Sequence, residues 1–552
     1  MNSILRVQKF VAGLQSASSG GGSTPPAGLV QRANMDPLFS CRVKKFLSTA
    51  ILGASTIKKV DLKLQTHDTL IRNTVGFDTE KEISHTEDLG LLPNVTVSGD
   101  KGEVISDPFS TPLSTNSSTG DLWVDRRDMS AIRAIPSTAF KSVLLQHLDP
   151  SGNIPVDHCQ VEVRTEGTFN HCVILSLSGY GRFVIKVPLI GVEGSWQQGD
   201  EHNLHSEANT MIYIRRHTLV PVPEVLAFQT TLRNLLGAPY ILMRAVDGIP
   251  AHKLWFDAKS HGGPYSLDID DSSLSLAQRR SRFLKSLAYT MAELRHLSFD
   301  KIGMLNFESD PENPTVGEWY NTQCDGSLKA VPAYGSSKEL FDAKIIAFKK
   351  SQENENGVLN DAMRGVHRFL QIALKTAPLN SSRANLFEEE ESFVLAHNDL
   401  DLQNIFVDER GEVVGIIDWD MTVTTPRSVG YSTLPVFLRD DWDSEYDVDN
   451  AFHMPWSLEE YRKLYTSYMA DALSITNHND AKYTAKSHMY MAAYEIDMYG
   501  VAGPFFVEKM FKELASLRAV DQNKFLEKLG SGEGWNSAVR MLKREFRKLF
   551  EC

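Results

Sequence analysis

Residues 394–420 read VLAHNDLDLQNIFVDERGEVVGIIDWD. One apolar run stops at His397-Asn398-Asp399, another starts immediately after Asn404, and a third stops at Asp418. The turn residues Asp408-Glu409-Arg410-Gly411 lie between two short β-rich runs, so the stretch predicts a hairpin with strands at 405–407 and 413–417. Antiparallel pairing about that turn brings Asn404, just before the first strand, beside Asp418, just after the second. Asp399 lies five residues upstream of Asn404, within reach of the same end. One end of the hairpin therefore collects two carboxylates and an amide oxygen. Asp and Asn also cap strand ends and turns for purely structural reasons. Three oxygen-bearing side chains converging on one end point instead to a hard cation such as Mg²⁺, which takes one or two carboxylates together with substrate phosphates.

A second anomaly lies upstream. Lys186, in RFVIKVP, shares a strand face with Val184, where a desolvated ammonium is costly without a partner. At a sheet edge its stem would instead reach solvent. In the helix expected over 201–217, Leu204, Glu207, Ala208, Met211, Ile212 and Ile214 fall in one arc. Glu207 thus sits inside an apolar face, away from where a surface glutamate belongs. A misplaced lysine on a strand and a misplaced glutamate on the next helix account for each other as a buried ion pair.

The rest of the chain frames these two features. At 552 residues it exceeds a single core, so two or more lobes are expected. A formal charge of −13 argues against nucleic acid as a partner, which requires a basic footprint. The five cysteines (Cys41, Cys159, Cys172, Cys324, Cys552) are widely spaced, form no CxxC, and suit a reducing compartment. No apolar run approaches the roughly 18–20 residues of a transmembrane segment. Residues 1–60 hold eight Lys/Arg and one acid, Asp36, and open on an amphipathic stretch followed by SASSGGGSTPP. That start resembles a mitochondrial transit peptide; the alternatives are a disordered tail on a cytoplasmic protein or an extension upstream of a start at Met35. Residues 61–130 read as a low-order tether. Residues 131–250 read as a helix pair followed by β-strands and one helix. Residues 251–552 read as mainly helical, with helices at 275–297, 337–351, 358–376, 457–472, 481–500, 505–517 and 521–549.

The spacing H-x-D-x-x-x-x-N in HNDLDLQN, with IIDWD closing the next hairpin, resembles the aminoglycoside phosphotransferase and choline kinase-like family. TLVPVPEV and PYILMRAVDGIP resemble its fungal phosphotransferase-domain branch, some members of which are tied to mitochondrial inheritance. The resemblance implies an α+β, two-lobed, protein-kinase-like fold with a small antiparallel-sheet N-lobe and a larger, mostly helical C-lobe. It implies a catalytic loop at 397–404, in which Asp399 orients or deprotonates an attacking hydroxyl and His397 braces the loop. Asn404 and Asp418 would hold Mg²⁺ on the nucleotide phosphates, and Lys186, held by Glu207, would reach the α- and β-phosphates of ATP. Gly167, Thr168 and Asn170 in TEGTFN would cover phosphates with backbone N–H groups, although an ordinary hairpin turn explains the same residues. The segment around Met243 resembles the hinge that hydrogen-bonds adenine.

The expected activity is ATP- and Mg²⁺-dependent phosphoryl transfer to a hydroxyl of a small molecule. Its rivals are a non-catalytic kinase-like scaffold, including a mitochondrial one, and a metal-dependent hydrolase, which would leave the Lys186–Glu207 pair without a purpose. RDDWDSEYDVDN (439–450), with six acids in twelve residues, reads either as a solvated loop or as a binding site for an amino-bearing acceptor. The acceptor and the oligomeric state are left open by the sequence.

Overall fold

The computed structural model describes residues 124–551 except 257–273, 324, 354–355, 381–390, 444–445, 450, 475–478 and 498–501. The proposed transit segment and nearly all of the tether lie outside the described residues. Two helices lead in, α1 (Met129–Ala134) and α2 (Ser137–Leu148). Pro136 separates them, since a proline cannot extend a helix beyond its first turn.

β1 (Cys159–Glu166), β2 (Asn170–Leu177) and β3 (Gly181–Pro188) form an antiparallel meander. After α3 (Gln198–His217), β4 (Val225–Gln229) and β5 (Tyr240–Arg244) complete a five-stranded sheet of order β1-β2-β3-β5-β4. Alternation along the strands gives the sheet two different faces. Val173, Leu175, Phe183, Ile185 and Leu242 pack with Phe140, Val143 and Leu144 of α2. Ile241, Met243 and half-buried Val184 point the other way, into the core built by Leu204, Ala208, Met211 and Ile214 of α3. Lys186 pairs with Ile241 and so stands on this second face.

Beyond β5 come β6 (Ile249–Pro250), α4 (Ala251–Trp255) and α5 (Leu276–Ala292). Four short strands follow: β7 (Gly303–Asn306), β8 (Thr315–Gly317), β9 (Trp319–Thr322) and β10 (Leu328–Val331). Then come α6 (Ser337–Gln352), α7 (Asp361–Leu374), β11 (Phe393–Leu395), β12 (Ile405–Val407), β13 (Val413–Ile416) and β14 (Val423–Pro426). The chain ends in α8 (Pro455–Leu473), α9 (Ala481–Thr484), α10 (Ser487–Tyr494), α11 (Ala502–Glu513), α12 (Gln522–Ser531) and α13 (Trp535–Phe550). The fold is α+β and two-lobed, a small antiparallel sheet followed by a larger, mostly helical lobe.

The expected hairpin is present. Ile405 pairs with Ile416 and Phe406 with Gly415, while Phe406 and Val407 also pair with Pro250 and Ile249 of β6. The strand leaving the sheet lobe is thus stitched directly to this hairpin.

Three expectations are corrected. The 521–549 segment is two helices, because Gly532 adopts a left-handed φ of 93° and caps α12. The 481–500 segment breaks between Thr484 and Ser487 into α9 and α10. Residues 303–331 carry four strands where a mainly helical region was expected, and β7 and β8 join β14 and β11 in a second sheet. Among the described residues, no helix is long and apolar enough to cross a membrane.

Candidate active site

The loop at 397–404 is shaped by its own polar side chains. His397 Nε2 donates to the Ile417 carbonyl at 2.9 Å, and the Asp399 N–H donates to His397 Nδ1 at 3.2 Å. Both ring nitrogens are thereby committed to the backbone of the two flanking segments, and the ring stacks edge-on against Trp419 at 4.7 Å. The Asn404 amide nitrogen donates to the Asp399 carbonyl at 2.8 Å and to Asp399 Oδ2 at 3.0 Å. The Ile417 N–H closes the hairpin end on the Asn404 carbonyl at 2.9 Å. Asp399, Asn404 and Asp418 therefore meet at one end of β12–β13, and the amide that fixes Asp399 keeps its own oxygen for another partner.

Asp418 has a left-handed φ of 66° and Met421 one of 54°. Such conformations are uncommon outside glycine and cluster at functional sites when the surroundings enforce them. Here buried Trp419 enforces it, donating from Nε1 to the Ile416 carbonyl at 2.9 Å, while Thr422 Oγ1 donates to the Trp419 carbonyl at 2.6 Å. The strained turn aims Asp418 toward the sheet lobe.

Lys186 receives it. Its Nζ donates to Glu207 Oε1 at 2.5 Å and to Asp418 Oδ1 at 3.1 Å. Lys186 and Glu207 are 6% and 5% exposed, so the pair is buried and the solvent-edge alternative for Lys186 is excluded. Burial opposes the charge on Lys186, but the Glu207, Asp418 and Asp420 carboxylates outweigh it and hold the ammonium well above its ordinary range. Burial pushes the Glu207 carboxyl up against the pull of Lys186.

The other expected residues lie on the same framework. Gly167 begins the β1–β2 turn, its N–H donating to the Asn170 carbonyl at 2.9 Å, and Thr168 is buried in that turn. Lys186 pairs with Cys172, so the turn begins just two residues along β2 from the lysine's neighbour. Met243 pairs with Val184 on the lysine's face of the sheet, where the chain leaves for the helical lobe. Tyr494, outside the expected set, lines a small cavity with His397, Asn398 and Arg439.

Two neighbours were passed over in the sequence. Asp420, the last acid of IIDWD, acts electrostatically on both Lys186 and Glu207. Cys172 shares the lysine's face, and burial pushes its thiol up to about 11. The second acid of the D-W-D pattern was a visible signal for Asp420; a cysteine in an apolar strand offers none.

Three carboxylates around one ammonium leave excess negative charge at this mouth, and the donors are hard oxygens. Among the described residues no cluster of three His, Cys, Asp or Glu side chains is arranged to hold a metal ion, so a divalent cation here would take Asp418 and the Asn404 amide oxygen together with phosphates as its hard donors.

The chain is 33% identical over 329 residues to a subtelomeric hrmA-associated cluster protein of Aspergillus fumigatus, covering 52% of this chain and 62% of that one. It is 22% identical over 348 residues to the mitochondrial protein "altered inheritance of mitochondria protein 9" of Candida glabrata, covering 52% and 51%. The chain thus spans less than two thirds of the length of either relative. Among solved structures, aminoglycoside phosphotransferase APH(4)-Ia is 12% identical with a TM-score of 0.35, covering 74% of this chain and 99% of that one. Choline kinase of Cryptosporidium parvum is 10% identical with a TM-score of 0.34, with the same coverages. The model of the phosphotransferase enzyme family matches residues 166–453, just over half of the chain and all of the loop, hairpin and lysine described above, and the chain belongs to that family.

Proposed function

We propose that this protein transfers the γ-phosphoryl group of ATP, with Mg²⁺, to a hydroxyl of a small molecule. The observation that carries the proposal is the ammonium of Lys186 bridging Glu207 and Asp418, the latter at the hairpin end that also holds the Asp399–Asn404 loop. Lys186 aims its charge at the α- and β-phosphates, and Glu207 fixes its direction. Asp418 and the Asn404 amide oxygen hold the cation. When bound, Mg²⁺ neutralises charge developing on the phosphates during transfer. Asp399, anchored by Asn404, orients the acceptor hydroxyl and takes its proton. His397 braces the loop, with neither ring nitrogen left for proton transfer. The turn at Gly167, Thr168 and Asn170 covers the phosphates, and the backbone near Met243 holds the adenine.

The acceptor class has one indication. The exposed Asp440 side chain lies within electrostatic reach of Asp401, in the 397–404 loop, and of Asp441 and Asp443. An acceptor carrying an amine would relieve the repulsion among these carboxylates. The basic amphipathic start, together with a relative named for mitochondrial inheritance, supports a mitochondrial address.

The test is ADP release from ATP·Mg²⁺ by purified protein against a panel of amino alcohols, sugars and aminoglycosides. Turnover with one acceptor supports the proposal. Tight Mg·ATP binding with no acceptor consumed supports the scaffold. No binding at all removes both.

A further inference from the structure

The family match begins at residue 166, yet a stretch well upstream of it touches both walls of the proposed nucleotide site. Arg126 is buried and reaches the first turn of α3. Its Nη1 donates to Asp200 Oδ1 at 3.3 Å, its Nη2 to Asp200 Oδ2, and its Nε to the Ser195 carbonyl at 3.2 Å. Asp200 also caps the helix, accepting from the Gln197 N–H at 2.9 Å. Two turns further along the same helix is Glu207.

The next residue points to the other wall. Arg127 Nη1 donates to the Thr168 carbonyl at 3.0 Å, in the β1–β2 turn, while Asp125 steadies the guanidinium at 2.6–2.8 Å. The Asp128 N–H donates to the Leu189 carbonyl, and the Leu189 N–H in turn donates to the Phe169 carbonyl at 2.7 Å. Arg133 pairs with Glu166 at 2.5 Å, and Glu166 accepts from His171 Nδ1 at 2.9 Å. Burial alone would raise the Glu166 carboxyl; the His171 and Arg133 hydrogen bonds outweigh it and hold it at about 2.

We propose that residues 124–135 form a strap that ties the β1–β2 turn to the start of α3, with Arg127 as a positioning residue for the phosphate-covering turn and Arg126 for the helix that carries Glu207. The proposal rests on the nucleotide-site reading above. Its logic is entropic. A turn already held by its carbonyls loses less freedom when phosphates bind, so tying it raises affinity without adding a contact to the nucleotide.

Arg127 is the residue to test, because removing Arg126 would strand the buried Asp200 carboxylate and unsettle the fold. In the full chain, Arg127→Ala should speed hydrogen exchange in the 166–170 turn without nucleotide and leave exchange in α7 and α12 unchanged. Its Mg·ATP affinity by calorimetry should fall about tenfold, the scale of one lost hydrogen bond from a charged donor. Arg127→Lys, which keeps one charged donor, should recover part of both effects. An Arg127→Ala protein with parental exchange in the turn, or with affinity within about twofold of a parent that binds Mg·ATP, overturns the strap alone. A parent that binds no Mg·ATP overturns the nucleotide reading and the strap's role with it.

Discussion

Lys186 and Asp418 lie 232 residues apart in the chain and 3.1 Å apart in space. The contact joins the sheet lobe to the helical lobe, and it does so with the two side chains expected to face phosphate and metal. One ammonium is shared by a helix carboxylate and a loop carboxylate, so the three groups form one electrostatic unit.

That unit should be energetically coupled. Removing one partner of a buried pair strands the other and typically costs about 3–5 kcal/mol. Glu207→Gln should weaken nucleotide binding although its side chain is aimed at Lys186 and not at the nucleotide. Lys186→Met should do the same, and the double substitution should cost clearly less than the sum. The check is a double-mutant cycle on unfolding free energy and on Mg·ATP affinity. Strict additivity would mean that the pair is not coupled.

The same relationship shows what the sequence carried and what it hid. Charges are legible where they contradict their surroundings: Lys186 on an apolar strand, Glu207 in an apolar arc, and acids stopping apolar runs at Asp399 and Asp418. β1, β2, β3, β5 and the β12–β13 hairpin were legible through alternation, β-branched residues and turn signals, whereas β4 was not read as a strand. β7 to β10 were not, because strands of three or four residues amid Pro311, Pro314 and several acids are too short to show a period. The break in 521–549 was hidden because the apolar face resumes in α13 just after Gly532–Gly534. The Arg126–Asp200 pair was invisible because an aspartate in the first turn of a helix is already expected there.

Acid sensitivity should begin near neutrality. Burial, reinforced by Arg462 and Arg439, holds His488 at about 3; burial with Lys253 holds His252 at about 4; and burial with Arg280 holds His453 at about 4. These imidazoles stay neutral in the folded protein, whereas the unfolded chain protonates them near pH 6.5. The unfolded state therefore binds more protons below that pH, and folding stability falls as pH drops from about 6.5 toward 4, by up to roughly 1.4 kcal/mol per pH unit for each histidine. Urea unfolding across this range should show the slope, and His488→Gln should flatten it. A midpoint independent of pH over that interval would contradict the buried-neutral assignment.

The helical lobe contains a close crossing that tolerates no side chain. A Cβ on Gly365 of α7 would collide with the Leu526 carbonyl, and one on Gly530 of α12 with the Asp361 carbonyl. Gly→Ala in a helix ordinarily gains up to about 1 kcal/mol in propensity. Here overpacking, typically about 1–3 kcal/mol, should outweigh that gain because both obstacles are backbone. Gly365→Ala and Gly530→Ala should lower the urea midpoint while the folded fraction keeps its Mg·ATP affinity. Unchanged midpoints would show that the two helices can separate without cost.

The sharpest test separates two aspartates that the hairpin brings together. Asp418 points at Lys186, while Asp399 is anchored by the Asn404 amide at 3.0 Å. Asp418→Ala should abolish the Mg²⁺ dependence of nucleotide affinity as well as transfer, because it removes a carboxylate from the cation. Asp399→Asn should leave Mg·ATP affinity nearly intact, since the amide replaces a group that faces the acceptor. It should slow transfer by about 10²–10⁴-fold, the contribution of a positioned proton acceptor, or roughly 3–5 kcal/mol in the barrier. Calorimetry with and without Mg²⁺, beside ADP release with an acceptor found by screening, measures both effects. An Asp399→Asn protein that turns over as fast as the parent rules out Asp399 as the base. If neither substitution alters Mg·ATP affinity, the hairpin end is not a cation site, and the Lys186–Asp418 contact is a structural tie between the lobes.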